Sequence, residues 1–159
     1  MKSKPDSAAD LNKRAVRLLA RRDRSRSEMQ RLLAPHCADA HTVSALLDDL
    51  QARGWLSERR LAEQLIDSRR SRASAARIRQ EMARRGLADA IIAIATAGLD
   101  AHDVATALAL WRKRFRELAA DRTERERQLR FLLNRGFSQA VALKVLRIAG
   151  ANDTIEFEE

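Results

Sequence analysis

Apolar residues recur along this chain every three or four positions, which is the pattern of an amphipathic helix. Three such stripes follow one another in the first fifty residues, from Leu11 to Leu19, from Met29 to Leu33 and from Val43 to Leu50. The strong helix formers Ala, Leu, Arg, Glu and Gln dominate, and runs of β-branched residues are few. The pattern therefore predicts an all-α fold.

The breaks between the stripes carry signals of helix ends. Ser25 and Glu28 stand three residues apart, as in a capping box. Gly54, Gly86 and Gly136 each come directly or almost directly after an arginine, where the C-terminus of a helix is expected. These signals predict nine helices, over residues 11–23, 25–37, 40–54, 58–71, 73–85, 88–97, 101–118, 122–135 and 138–149.

The apolar pattern repeats with a period near 50 residues. Matching positions are held by Leu32, Met82 and Leu132; by Leu11, Leu61 and Trp111; by Ala15, Leu65 and Phe115; and by Cys37, Leu87 and Phe137. A period of this size in a helical chain indicates stacked units, each too small to bury its apolar face alone. We therefore predict three tandem three-helix repeats of about 50 residues that form an elongated, curved array.

The repeat also predicts the division of the chain. A flexible N-terminal segment over 1–10 precedes repeats over 11–57, 58–99 and 100–150, and an acidic C-terminal tail covers 151–159. The shared positions predict that Trp111 and Cys37 lie in the core. Trp55 falls where the first two repeats join, and we interpret it as a wedge that stiffens this joint.

Charge follows the same period. The chain has 31 Lys and Arg against 22 Asp and Glu, a net charge of +9. The first two helices of each repeat are basic, whereas residues 87–111 contain no Lys or Arg. A surplus of this size favours a polyanionic partner or an acidic protein surface, although a basic helix face can also be merely solvated.

Arginine clusters at or just after the first helix of each repeat are the candidate binding residues. Arginine suits this role because its planar fork binds phosphate or carboxylate through two hydrogen bonds. The candidates are Arg21, Arg22, Arg24, Arg26, Arg69, Arg70, Arg72, Arg112, Lys113, Arg114 and Arg116.

No pattern of catalytic or cofactor-binding residues occurs in the sequence. His36, His41 and His102 lack metal-ligand spacing, and there is no glycine-rich phosphate loop or nucleophile motif. Cys37 is the only cysteine, which excludes an internal disulfide and a cysteine-based zinc site. We expect a cytoplasmic protein that is not an enzyme and uses no cofactor or metal, since neither a signal peptide nor a membrane span is apparent.

Four segments, which carry three signatures, resemble the bacterial RecX family of recombination regulators. The segment 20–29 resembles the family pattern R-R-x-x-S-x-x-E-L, and 54–63 resembles G-W-L-S-D-x-R-F-A-E. The segments 111–115 and 130–138 resemble W-x-x-K-F and R-F-L-x-R-G-F-S. The chain departs from the family at Glu58, usually Asp; at Leu61, usually Phe or Tyr; at Ser74, usually Gly; and at His36-Cys37, usually Gly.

The resemblance implies a non-enzymatic regulator of the RecA recombinase. Such a protein binds RecA and the RecA–single-stranded DNA filament and inhibits its ATPase, coprotease and strand-exchange activities. It implies only weak, non-specific binding to DNA itself, and we expect a monomer that does not bind membranes. The residues alone leave an alternative open: a stand-alone basic DNA-binding protein, whose recognition helix would be Arg77–Arg85.

Overall fold

The computed structural model describes residues 7–155, with side chains up to Ala151. Within this range the chain forms nine α-helices and no strand, which confirms the predicted all-α class. Two short 3-10 turns, Ala34–His36 and Leu99–His102, join helices. The helices are α1 (Ala8–Arg21), α2 (Arg26–Leu33), α3 (Ala40–Ala52), α4 (Glu58–Arg69), α5 (Ala75–Arg84), α6 (Asp89–Ala95), α7 (Asp103–Phe115), α8 (Arg122–Leu133) and α9 (Gln139–Ile155).

The two ends of the described chain are more helical than the sequence predicts. Helix α1 begins at Ala8 because the side chain of Ser7 accepts a hydrogen bond from the Asp10 N–H and caps the helix. Helix α9 continues to Ile155, into the predicted acidic tail. The rest of that tail, and residues 1–6 of the predicted flexible segment, lie outside the described residues.

The helices belong to two compact units. Within the described residues the first unit comprises 7–65 and 82–95, and the second comprises 66–81 and 96–155. Helices α4 and α5 therefore each contribute to both units. The middle repeat predicted from the sequence is divided between them.

The predicted apolar stripes of the first repeat form the core of the first unit. Its buried residues are Leu11, Ala15, Leu19, Met29, Leu33, Val43, Leu47, Leu50 and Leu56. Leu32, which was matched with Met82 and Leu132, is instead 39% exposed, and Leu33 is buried in its place. Cys37 is only partly buried against this core.

This shift of one residue follows from where α2 begins. Ser25 caps α2 and Ser74 caps α5, so the two caps stand 49 residues apart instead of 50, and Leu33 and Met82 each lie eight residues after their cap.

The end of α2 differs from those of the other repeats as well. The second helices of the other two repeats end at glycines with positive φ, +75° at Gly86 and +87° at Gly136. The first repeat has His36 at this position and closes α2 with the 3-10 turn that contains Pro35. The first repeat therefore closes its second helix without the glycine turn that the other two repeats share.

Trp111 is the largest residue in the core of the second unit, as predicted. It is 2% exposed, and its Nε1–H donates to Oε1 of the buried Gln128 at 3.3 Å. Gln128 in turn donates through Nε2 to the Glu117 carbonyl at 3.0 Å. The only polar atom of the indole is therefore satisfied inside the core, as a buried tryptophan requires.

The helix-end signals of the sequence are confirmed. Ser25 and Glu28 form the predicted capping box at the start of α2. Gly54 has a φ of +76°, in the same region as Gly86 and Gly136. Ser74, which stands where the family usually has glycine, caps α5 by accepting from the Arg77 N–H at 3.1 Å.

In the first unit, the start of α2 is fastened to residues of the next repeat. The Ser25 hydroxyl donates to the carbonyl of Arg85, directly before the Gly86 turn. Glu58, the first residue of α4, accepts from the Arg26 N–H at 2.9 Å and from the Ala88 N–H at 3.2 Å. The Arg85 guanidinium donates to Glu28 at 3.1 Å. Burial raises the pKa of Glu28, but the hydrogen bonds from Arg85 and the Ser25 N–H outweigh it and hold the pKa below its ordinary value.

The second unit contains the equivalent arrangement one repeat later. The Ser74 hydroxyl donates to the carbonyl of Gly136 at 2.7 Å, and Asp103, the first residue of α7, accepts from the Ala75 N–H at 2.9 Å. Burial raises the pKa of Asp103, although its hydrogen bond to the Ala75 N–H opposes the shift. We call these two sets of contacts the first joint (Ser25, Glu58, Arg85) and the second joint (Ser74, Asp103, Gly136).

The glycine of the second joint should be irreplaceable for two separate reasons. A Cβ at Gly136 would lie 2.8 Å from the Ser74 Oγ and 2.9 Å from the Arg77 Cβ, and φ is positive. Gly98 has a similar φ of +74° but nothing within 4 Å of its Cβ position. We expect Gly98→Ala to lower the free energy of unfolding by about 1 kcal/mol through backbone strain, and Gly136→Ala by about 2–4 kcal/mol. Urea denaturation measures both, and equal losses would contradict the close packing at the joint.

The two tryptophans should differ sharply in their effect on stability. Trp111→Ala removes a fully buried ring and should cost about 3–5 kcal/mol in the free energy of unfolding. Trp55, which we interpret as a wedge at the joint of the first two repeats, is 45% exposed. Trp55→Ala should therefore change the free energy of unfolding by no more than about 0.5 kcal/mol. Chemical denaturation followed by circular dichroism tests the pair, and a large loss in the Trp55 variant would support the interpretation as a wedge.

Candidate functional site

The first predicted arginine cluster is divided by the fold. Arg21 and Arg22 end α1 and are exposed, whereas Arg24 is half-buried and donates to the Leu18 carbonyl at 3.4 Å. Burial lowers the pKa of Arg24, and the neighbouring charge of Arg22 adds to this. Only the first two of these three arginines face solvent without a structural partner among the described residues.

Arg26 completes this cluster in the sequence but serves the fold. Its guanidinium lies 2.7 Å from the Asp48 carboxylate and donates to the carbonyl and hydroxyl of Ser44 at 3.3 and 3.1 Å. These contacts fasten the start of α2 to α3. Arg26 is therefore less available to a partner than its neighbours Arg21 and Arg22.

The second cluster is divided in the same way. Arg69 donates two hydrogen bonds to the Glu81 carboxylate, at 3.0 and 3.2 Å, and this pair links α4 to α5 within the second unit. The hydrogen bonds to Glu81 are the main reason why the pKa of Arg69 lies above its ordinary value. Arg70 and Arg72, in the turn after α4, are exposed.

In the third cluster, every predicted residue is exposed to solvent. Arg112, Lys113, Arg114 and Arg116 are all exposed at the C-terminal end of α7. Arg114 lies over the Phe115 ring at 5.6 Å, which orients its guanidinium without neutralising it. Arg116 ends the helix with a φ of +64°, a conformation that costs a residue other than glycine about 1 kcal/mol. Strain of this kind is often found at binding sites.

A fourth basic surface, on α1, was not among the predicted residues. Lys13, Arg17 and Arg21 follow one another at intervals of four, so they lie along one face of the helix, and all three are exposed. Together with Asp10, Arg14 and Leu18 they line a depression of about 530 Å³, in which the cations outnumber the single carboxylate. We call this the α1 row. The four-residue spacing is visible in the sequence, but these residues are not adjacent to one another and so differ from the predicted clusters.

The segment Arg77–Arg85 does not offer the free basic face of a recognition helix. Arg77 donates to the Asn134 carbonyl at 2.9 Å, and Arg79 binds the Asp100 carboxylate and the Thr96 hydroxyl. The hydrogen bond from Arg79 is the main reason why the pKa of Asp100 lies below its ordinary value. Arg85 belongs to the first joint. Most arginines of this segment therefore have structural partners.

The structure brings no set of metal ligands together among the described residues. His36 and His41 remain apart from any such group, and Asp39 between them caps α3 by accepting from the His41 and Thr42 N–H groups at 3.0 and 3.2 Å. No single described helix is long and apolar enough to cross a membrane; the bent pair Asp89–Ala95 and Leu99–Phe115 reaches the required length and composition only together.

The fold and these surfaces define a small basic protein of tandem three-helix repeats with exposed arginine clusters. Comparison with known proteins is consistent with this class. Residues 57–95 match the family model described as the second three-helix domain of RecX, and residues 101–146 match the third. The predicted tandem helical repeats are thereby confirmed.

Relatives cover most of the chain. A "Regulatory protein RecX" of Leptothrix cholodnii is 45% identical over 144 residues, 87% of this chain and 88% of that protein. One of Ralstonia nicotianae is 41% identical over 147 residues, 92% of each chain. The crystal structure of RecX from Lactobacillus salivarius shares the fold with a TM-score of 0.75 at 16% identity, covering 89% of this chain and 96% of that one. The chain belongs to the RecX family of regulatory proteins.

The division of the arginines into paired and exposed groups predicts different effects on stability. Arg26→Ala should lower the free energy of unfolding by about 1–2 kcal/mol, because it removes a charged donor from Asp48 and Ser44. Arg21→Ala removes the same charge from an exposed position and should change it by less than about 0.5 kcal/mol. Thermal and urea denaturation measure both variants. An Arg26 variant as stable as the parent would show that this arginine is free to bind a partner.

Proposed function

We propose that this protein binds the RecA recombinase and its filament on single-stranded DNA, and inhibits the ATPase, coprotease and strand-exchange activities of RecA. It acts by binding alone, as a cytoplasmic monomer without a cofactor or a catalytic step. It binds DNA by itself only weakly and without sequence preference. Its membership of the RecX family supports a regulatory role, and the resemblance of its motifs to that family supports RecA as the target.

The observation that carries the proposal is the exposed third cluster. Arg112, Lys113, Arg114 and Arg116 place four cations on about one turn of chain at the end of α7. None of the four forms an ion pair with a described residue, so each can bind a carboxylate or a phosphate without first breaking an ion pair. Charge-assisted hydrogen bonds of this kind are about twice as strong as neutral ones.

Arg21, Arg22, Arg70 and Arg72 extend the proposed binding surface, and the α1 row adds to it. Arg24, Arg26 and Arg69 support this surface rather than bind, because each is engaged within its own unit. We infer that the binding role predicted for the eleven basic residues is fulfilled mainly by those that are exposed.

The decisive experiment is a titration of the DNA-dependent ATPase of RecA at low salt. We expect inhibition at stoichiometric or lower ratios. A variant with Arg112, Lys113 and Arg114 all replaced by Ala should need at least about ten times more protein for half inhibition, since about 1.4 kcal/mol of lost binding energy already gives this factor.

A charge-matched control separates the cluster from net charge. Arg59, Arg122 and Arg127 are exposed and pair with acids on their own helices, at 3.2, 3.1 and 3.3 Å. Their triple alanine variant loses the same three charges and should inhibit RecA like the parent. Absence of inhibition by the parent protein would overturn the proposed function. If both triple variants lost the same amount of RecA inhibition, the third cluster would have no specific part in the proposed function.

A further inference from the structure

A cavity of about 400 Å³ lies in the second unit beside the turn that follows α4. Its apolar lining includes Ile66, Ile78 and Leu99, and Ile78 is almost fully buried. The volume falls within the range of about 300–1,000 Å³ that is typical of small-ligand pockets. None of the contacts described so far occupies this space.

Three ionisable side chains surround the apolar lining. Arg70 and His102 are exposed, and Asp103 is half-buried. No ion pair with a described residue holds Arg70 or His102. One carboxylate oxygen of Asp103 accepts from the Ala75 N–H, and a carboxylate has capacity for further donors.

The turn that carries Arg70 is itself well held. The Thr106 hydroxyl donates to the Arg70 carbonyl at 3.3 Å, and the Arg72 and Ala73 N–H groups donate to the Arg69 carbonyl at 2.8 and 3.1 Å. The backbone next to the cavity is therefore fixed while the Arg70 guanidinium remains free to bind.

The chemistry of the lining selects the ligand. Aliphatic side chains accept a flat, mostly apolar ring, and an acceptor such as Asp103 suits a ring that carries N–H donors. Arg70, with His102 when it is protonated, suits a phosphate attached to the same molecule. A nucleotide combines these three features. A nucleobase must leave the stack to enter such a pocket, which favours a single strand over a duplex.

We propose that this cavity, which we call the Arg70 pocket, takes one nucleotide of single-stranded DNA. The base lies against Ile66 and Leu99, with Ile78 packed next to them, and donates an N–H to Asp103. The adjoining phosphate binds Arg70 and His102. This inference rests on the proposed function, because the RecA filament is what presents single-stranded DNA. It adds a contact to the base where the arginine clusters alone would recognise only the backbone.

The test compares two fluorescently labelled 15-mers of equal charge, an oligo-dC and an oligomer of abasic deoxyribose phosphates. Fluorescence anisotropy with the full chain should show oligo-dC binding at least about five times more tightly, since stacking of one base is worth about 1–3 kcal/mol on an aromatic ring and the low end applies to an aliphatic surface. Leu99→Trp fills the pocket and should abolish this preference while leaving the affinity for the abasic oligomer unchanged.

Leu143→Trp is the matched control, because Leu143 is a 43% exposed leucine of the same unit and does not line the pocket. This variant should keep the preference for oligo-dC. Arg70→Gln should weaken the binding of both oligomers.

A second measurement does not depend on a folded variant. Titration of the parent protein with dCMP should shift the methyl resonances of Ile66, Ile78 and Leu99, and abasic deoxyribose phosphate should shift them much less. Equal binding of the two oligomers, or methyl resonances unmoved by dCMP, would overturn the pocket. Methyl shifts caused by RecA protein without DNA, and not by dCMP, would assign the pocket to a protein side chain and also overturn it. A protein that inhibits the RecA ATPase but fails these tests keeps the proposed function and loses only the pocket.

Discussion

The first N–H groups of a helix have no partner within that helix, and they must be satisfied from elsewhere. In this protein a carboxylate of the following repeat satisfies them at two equivalent places. Glu58 accepts from the Arg26 N–H at the start of α2, and Asp103 accepts from the Ala75 N–H at the start of α5. Each acid is the first residue of its own helix. The same carboxylate therefore satisfies a backbone N–H of one repeat and belongs to the first residue of a helix in the next repeat.

The glycine turns complete this dependence. Each joint brings a serine hydroxyl within hydrogen-bonding distance of a carbonyl in the turn that closes a second helix. At Gly136 any larger residue would meet Ser74 and Arg77, and at Gly86 it would meet Ser27 at 2.7 Å. The glycines thus serve two needs at once, a positive φ and a close approach. A helical unit of about 50 residues is too small to satisfy both its core and its helix ends alone.

Ion pairs within each unit explain how the free positive charge is distributed. Arg26, Arg69, Arg79 and Arg85 each face an acid within their own unit, so they contribute to the net charge of the sequence without contributing free cations to the surface. The largest groups of neighbouring arginines without such partners lie at or just after the C-terminal ends of first helices. Binding capacity therefore follows pairing rather than the number of basic residues.

Much of the fold was predictable because it follows from local chemistry. The capping box at Ser25, the glycine turns and the burial of Trp111 each depend on residues close together or on one apolar period. The exposure of Trp55 and the burial of Leu33 instead of Leu32 depend on the local course of the backbone. An average repeat period of 50 residues does not describe shifts of one residue. The candidate site was less predictable for two reasons. Arg26 is engaged by Asp48 of α3, a residue distant from it in sequence. The basic residues of the α1 row stand four positions apart, so they do not form a run of adjacent arginines.

The division of α4 and α5 between the two units determines what happens when the chain is cut. Neither unit is a continuous stretch of sequence, since residues 82–95 return to the first unit after 66–81 have joined the second. Shortening the chain after any single residue between 66 and 95 would remove part of one unit and leave half-helices of the other without neighbours. No single cut of the chain can therefore separate the two units and leave both complete.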